Sequence, residues 1–138
     1  MSINTDIQFH QVLKKDDILI SLTGNVGRVS LCKEGDYLLN QRVGILQLKQ
    51  GVNREYIYQV LSHKRFEQSM ITCGQGAAQM NIGKSDVEDY VIPYSYNLHN
   101  IEMIASTLKI YDSLICVEFD KLKMFQQQKR YLLSQMFI

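Results

Sequence analysis

The sequence predicts an α+β chain: a small mixed or antiparallel β-rich domain with short helices, followed by one long helix of coiled-coil character. Three observations lead there. Short β-branched runs alternate with turns rich in glycine and asparagine through the first ninety or so residues. Glycine and proline are then absent from Leu98 to Ile138. Over that same stretch, apolar residues recur at alternating steps of three and four. The expected division is 1–96 for the domain and 97–138 for the helix.

The first strand signal is Ile18-Leu19-Ile20-Ser21-Leu22, led in by Lys14-Lys15-Asp16-Asp17. Thr23-Gly24-Asn25-Val26-Gly27 turns the chain, because glycine and asparagine tolerate positive φ where other residues strain. Arg28 to Lys33 alternates polar and apolar residues, and Glu34-Gly35-Asp36 turns again. A longer strand is expected from Tyr37 to Lys49, interrupted by Asn40-Gln41-Arg42, with Gly44 at a bulge or close approach. Asn53 is placed to cap a helix that starts at Arg54 and frays near Thr72, with Ile57, Val60, Leu61, Phe66 and Met70 on its apolar face. The composition of Gly74 to Asn81 reads as a loop. Ser85-x-x-Glu88 matches a capping box for a short helical turn. Tyr90-Val91-Ile92 reads as a closing strand ended by Pro93, the sole proline.

The terminal stretch of about forty residues would reach about 60 Å as a helix. Its seam runs Ile101, Ile104, Leu108, Tyr111, Ile115, Glu118, Leu122, Phe125, Lys129, Leu132 and Met136. Nine of these eleven positions are apolar, as a coiled coil requires, and Glu118 and Lys129 are the polar interruptions. A domain of about ninety-five residues is only about 30 Å across, so part of the seam calls for a partner helix.

Composition limits the function classes. Hydrophobic residues make up 46% of the 138, and charged residues 21%, which suits a packed core and not a disordered charged tail. No apolar run approaches a transmembrane span, no secretory signal is visible, and the expected compartment is the cytoplasm. The net charge of +1 argues against non-specific coating of nucleic acid, though a local basic face can still neutralise phosphates. Cys32, Cys73 and Cys116 form no Cys-x-x-Cys pair, and His10, His63 and His99 lie far apart, so no metal site is expected. The glycine turn lacks the Gly-Lys-Ser/Thr ending of a phosphate loop, and the Asn/Asp-Pro-Pro-Tyr/Phe signature of base methylation is missing. An enzyme whose whole active site lies in this chain is not expected.

Polar side chains at turns remain. Arg28, Arg42 and Lys84 suit phosphate or guanine, while Asn25, Gln41, Gln79 and Asn81 suit base edges, since Asn and Gln pair bidentately with adenine and Arg with guanine. Turns are polar in any protein, so chemistry alone leaves this reading open.

Four stretches together resemble the specificity subunit of type I restriction-modification enzymes. Asp17-Ile18-Leu19-Ile20-Ser21 with Thr23-Gly24-Asn25-Val26-Gly27 is similar to that family's strand and glycine turn. Leu39-Asn40-Gln41-Arg42-Val43 resembles its Asn-Gln-Arg segment. Gln79-x-Asn81-Ile82, then Asp86-Val87 and Val91-Ile92-Pro93, resembles its Gln-x-Asn-Ile…Asp-Leu…Ile-Pro pattern. The tail from Ile104 to Phe137 resembles the helix that follows each recognition domain. The motifs span nearly the whole chain in the family's order. Tyr94-Ser95-Tyr96-Asn97 and Asn100-Ile101 stand where the family has proline-rich spacing and a Glu-Gln pair, and the segment ahead of the first strand is shorter than usual, so a recognition domain shortened at its front is expected.

The resemblance implies a non-catalytic subunit that reads half of a split site on double-stranded DNA. It implies partnership with the methylase (modification) and restriction subunits, and a homodimer through Ile101, Ile104, Leu108, Tyr111, Ile115, Leu122, Phe125, Leu132 and Met136. S-adenosylmethionine and ATP would be held by those partners, so no cofactor is expected here. Two alternatives remain: a coiled-coil interaction module that does not touch DNA, and a recognition-domain fragment of a fused restriction-methylation enzyme.

Overall fold

Ile18 and Ile20 alternate with half-buried Leu19 and Ser21, so a strand of period two turns one side of the chain into a core. A computed structural model describes residues 12–75 and 80–137. Its elements are β1 (Val12–Leu13), β2 (Ile18–Ser21), β3 (Val29–Leu31), β4 (Tyr37–Leu38), β5 (Val43–Leu46), α1 (Arg54–Ser62), α2 (Lys64–Cys73), α3 (Lys84–Glu88) and α4 (Leu98–Met136). The chain is α+β, as expected. Strands β3, β2 and β5 form an antiparallel sheet with β2 in the centre, and β1 pairs antiparallel with β4 in a separate ribbon.

The core brings Ile18, Ile20 and Val26 against Tyr56, Ile57 and Leu61 of α1, Phe66 and Met70 of α2, Ile82, and Ile101 and Ala105 of α4. The sheet thus supplies one layer and the two short helices the other. The first turns of α4 close the side of the core next to α1.

Four expectations are corrected. The long strand from Tyr37 to Lys49 is two strands, because Asn40 Oδ1 accepts from the Arg42 backbone N–H at 3.0 Å and folds the Asn-Gln-Arg segment into a turn. The single helix from Arg54 is two helices. His63 leaves helical geometry at φ −72°, ψ 141°, ends α1, and caps α2 through Nδ1, which accepts from Arg65 N–H. The capping pair of α3 is Gly83 and Asp86, whose carboxylate accepts the Gly83 N–H at 2.6 Å, and not Ser85 with Glu88. Tyr90-Val91-Ile92 joins no sheet among the described residues. That segment is instead fastened by side chains: the Tyr90 ring packs edge-on to Phe66 at 4.9 Å, Tyr56 donates to the Pro93 carbonyl at 2.7 Å, and the Tyr94 ring meets Tyr56 at 5.5 Å. The cap at Asn53 is as expected, its Oδ1 accepting from Tyr56 N–H at 2.9 Å.

Helix α4 runs 39 residues, or about 58 Å, from an Asn97 cap. Ile101 and Ala105 are buried, and every residue from Ser106 to Phe137 is exposed. Two polar links extend its grip on α1 by two further turns. Gln59 donates to Asp112, and Lys109 lies 3.6 Å from Glu55. No helix among the described residues is long and apolar enough to cross a membrane.

Candidate nucleic-acid interface

Three polar turns that are far apart in sequence meet at the C-terminal end of β2. Ser21 N–H donates to the Arg28 carbonyl at 2.9 Å, Leu22 N–H to the Arg42 carbonyl at 2.9 Å, and Ile82 N–H to the Leu22 carbonyl at 3.0 Å. Thr23 bridges Asn81, and Gly24 N–H donates to the Met80 carbonyl at 2.9 Å. A few residues at one strand end therefore gather the β2–β3 turn, the turn before β5 and the approach to α3.

Of the expected DNA contacts, Asn25, Arg28, Gln41, Arg42 and Asn81 belong to these three segments, Lys84 opens α3 directly after the third, and all six are exposed. Gln79 lies outside the described residues. Arg28 lies 3.4 Å from Glu67 of α2 through Nε, and Lys84 lies 3.3 Å from Glu88 within α3. The carboxylate of Glu67 went unread because nothing local connects α2 with the glycine turn. Its sole sequence signal is that it lies on the same helix as Met70, one turn earlier.

The opposite end of β2 faces different company. Arg54 donates to the Asp16 carbonyl at 3.2 Å, and a cleft there is lined by Asp16, Leu31, Arg54, Tyr58, Lys109, Asp112 and Cys116. Helix α4 passes this end as it leaves the domain, so the polar turns and the long helix occupy opposite ends of the central strand.

Along α4, the expected seam separates into two parts. Ile101 is 1% exposed and sits in the chain's own core, so it is not available to a partner. Ile104, Leu108, Tyr111, Ile115, Leu122, Phe125, Leu132 and Met136 are between 39% and 73% exposed. A second stripe was missed. Met103, Ile110, Val117, Met124 and Tyr131 recur every seven residues, each one position before a seam residue, hence about 100° round the helix. All five are exposed. The strict seven-residue recurrence was legible in the sequence.

The sequence matches the family model of the type I restriction modification DNA specificity domain over residues 7–123. The chain belongs to that family. A search of curated proteins finds no match. Among solved structures, this specificity-family chain is similar to the S subunit of a type I restriction-modification system from M. genitalium, with a TM-score of 0.58 at 21% identity. The match covers 81% of this chain and 30% of that one, so this member of the family spans less than a third of the subunit it resembles. At that identity the likeness establishes a shared fold.

Proposed function

We propose that this chain is a specificity component that reads one half of a split site on double-stranded DNA, using the turns gathered at the C-terminal end of β2. The single observation that carries the reading is that convergence: the backbones of three separate segments, which carry or adjoin six exposed polar residues, are joined at one strand end. Exposed turns on a rigid sheet can enter a groove without disturbing the core. Arg28, Arg42 and Lys84 serve phosphates or guanine, and Asn25, Gln41, Gln79 and Asn81 serve base edges. The domain occupies 1–96 and the docking helix 97–138.

The chain contributes recognition and no reaction of its own. Methyl transfer from S-adenosylmethionine and ATP-dependent work belong to the methylase and restriction subunits, and the chain itself needs no cofactor. It acts in the cytoplasm. A second copy packs on the seam from Ile104 to Met136, which restores two half-site readers on one scaffold. The stripe from Met103 to Tyr131 supports a further helical neighbour, since a two-stranded coil leaves that face in water. A helix of the methylase subunit fits there.

The test is DNA binding by the full chain with its methylase partner, against a library of sequences at two salt concentrations. Arg42→Ala and Lys84→Ala should weaken binding to all sequences and shallow the salt dependence by about one phosphate contact each, and Asn81→Ala should relax preference at one position by about 1–3 kcal/mol. Parental affinity and discrimination in all three variants would place the recognition surface elsewhere.

A further inference from the structure

We infer that Glu67 is a positioning residue for DNA reading: its carboxylate holds Arg28 by Nε and leaves the guanidinium fork facing outward for the major-groove edge of guanine. The inference rests on the proposed use of the β2 end as the DNA interface.

Both halves of the pair rise from fixed backbone. Gly27 has φ +75° and donates to the Ser21 carbonyl at 2.9 Å, while Ser21 N–H holds the Arg28 carbonyl. A Cβ built on Gly27 would lie 2.7 Å from Met70 Cβ and 3.1 Å from Glu67 Cα, so the glycine turn sits directly on α2. Glycine is required there for space as well as for φ. The packing fixes the start of the Arg28 side chain relative to the start of Glu67, and Arg28 Nε reaches Glu67 Oε1 at 3.4 Å.

Charge and exposure then distinguish orientation from stability. The Arg28 side chain is 67% exposed and that of Glu67 is 36% exposed. A pair this open to water contributes little to stability. A carboxylate next to a phosphate backbone also opposes binding to any DNA. What Glu67 supplies is direction. Among the described residues nothing accepts a bond from Nη1 or Nη2 of Arg28. The guanidinium is planar, so a partner on Nε constrains the plane in which the two terminal nitrogens lie. A fork held in this way loses less freedom when it meets the paired acceptors N7 and O6 of guanine.

The experiment measures library binding by the full chain with its methylase partner for the parent, Glu67→Ala, Glu67→Gln and Arg28→Ala, together with the thermal midpoint of each chain. Glu67→Ala should leave the midpoint unchanged and keep or strengthen binding to non-cognate DNA. It should reduce discrimination by about tenfold at one base pair, the same pair at which Arg28→Ala relaxes preference. Glu67→Gln keeps an oxygen acceptor for Nε and should retain most of that discrimination. If Arg28→Ala relaxes one base pair while Glu67→Ala discriminates like the parent, Glu67 has no positioning role and the interface stands. If Glu67→Ala lowers the midpoint and weakens all sequences alike, its role is structural and the inference is overturned. If Arg28→Ala alters neither affinity nor preference, the use of this strand end for DNA fails, and the inference fails with it.

Discussion

Gly24 and Gly27 share one turn and one backbone conformation, with φ at +78° and +75°, but their surroundings differ. A Cβ on Gly24 would meet nothing within 4 Å, whereas one on Gly27 would collide with Met70 Cβ and crowd the backbone of Glu67. Gly24→Ala therefore adds only the left-handed penalty of about 1–2 kcal/mol. Gly27→Ala adds overpacking against α2 as well, for a total of about 3 kcal/mol. Urea unfolding should show both losses with an unchanged slope, and the larger at Gly27. Equal losses would mean that the turn does not rest on α2. The same contact brings Arg28 beside Glu67, so residue-scale packing and the proposed reading of DNA both depend on one glycine.

At the scale of elements, capping explains where the helices start and stop. Asn53 opens α1 with a bond to Tyr56 N–H, and His63 closes α1 and opens α2 without any glycine or proline in the segment. Asn53→Ala should lower stability by about 1 kcal/mol in thermal or urea unfolding, and Asn53→Asp should retain most of it. An unaffected Asn53→Ala would show that the Tyr94 hydroxyl, which accepts from the Asn53 N–H at 3.2 Å, and the Tyr56 contacts hold the start of α1 by themselves. The run Tyr90-Val91-Ile92 has strand-forming residues yet takes no strand partner among the described residues, and aromatic contacts and the Tyr56–Pro93 hydrogen bond fasten it to the helices. β propensity describes fit to a half-buried surface, and here that surface is helical.

For the whole molecule, the decisive feature is a helix longer than the domain that carries it. Ile101 and Ala105 anchor α4, while the exposed part rises about 45 Å with two apolar stripes. With the seam free, light scattering of the full chain should give about twice 16.0 kDa at micromolar concentration. Leu108→Lys combined with Ile115→Lys should return it to one chain, since each substitution removes about 1.5–3 kcal/mol of apolar burial and adds a charge to a dry seam. Val117→Glu combined with Met124→Glu should leave that dimer intact but abolish capture of the methylase subunit. A 16.0 kDa species in the parent would refute the homodimer, and loss of dimer from the Val117–Met124 pair would merge the two stripes into one interface.

Local pattern was enough to read the alternation of β2, the glycine turn, the Asn53 cap, and the long helix with its seam of threes and fours. Those signals lie within a few residues of one another, where backbone sterics and side-chain period act directly. The sequence also carried the family motifs, from Asp17 to the helical tail. Three-dimensional packing was needed to show that the segments of Arg28, Arg42 and Asn81 meet at one strand end, that Glu67 stands beside Arg28, and that Ile101 belongs to the core while Ile104 does not. Each of these depends on strand order, register or the direction in which α4 leaves α1. The periodicity of a single segment contains none of that, because one amphipathic pattern serves equally for a helix lying on its own domain and for one waiting for a partner. The stripe from Met103 to Tyr131 falls between the two cases: its seven-residue spacing is written in the sequence, and its meaning came only when the fold left that face of α4 uncovered.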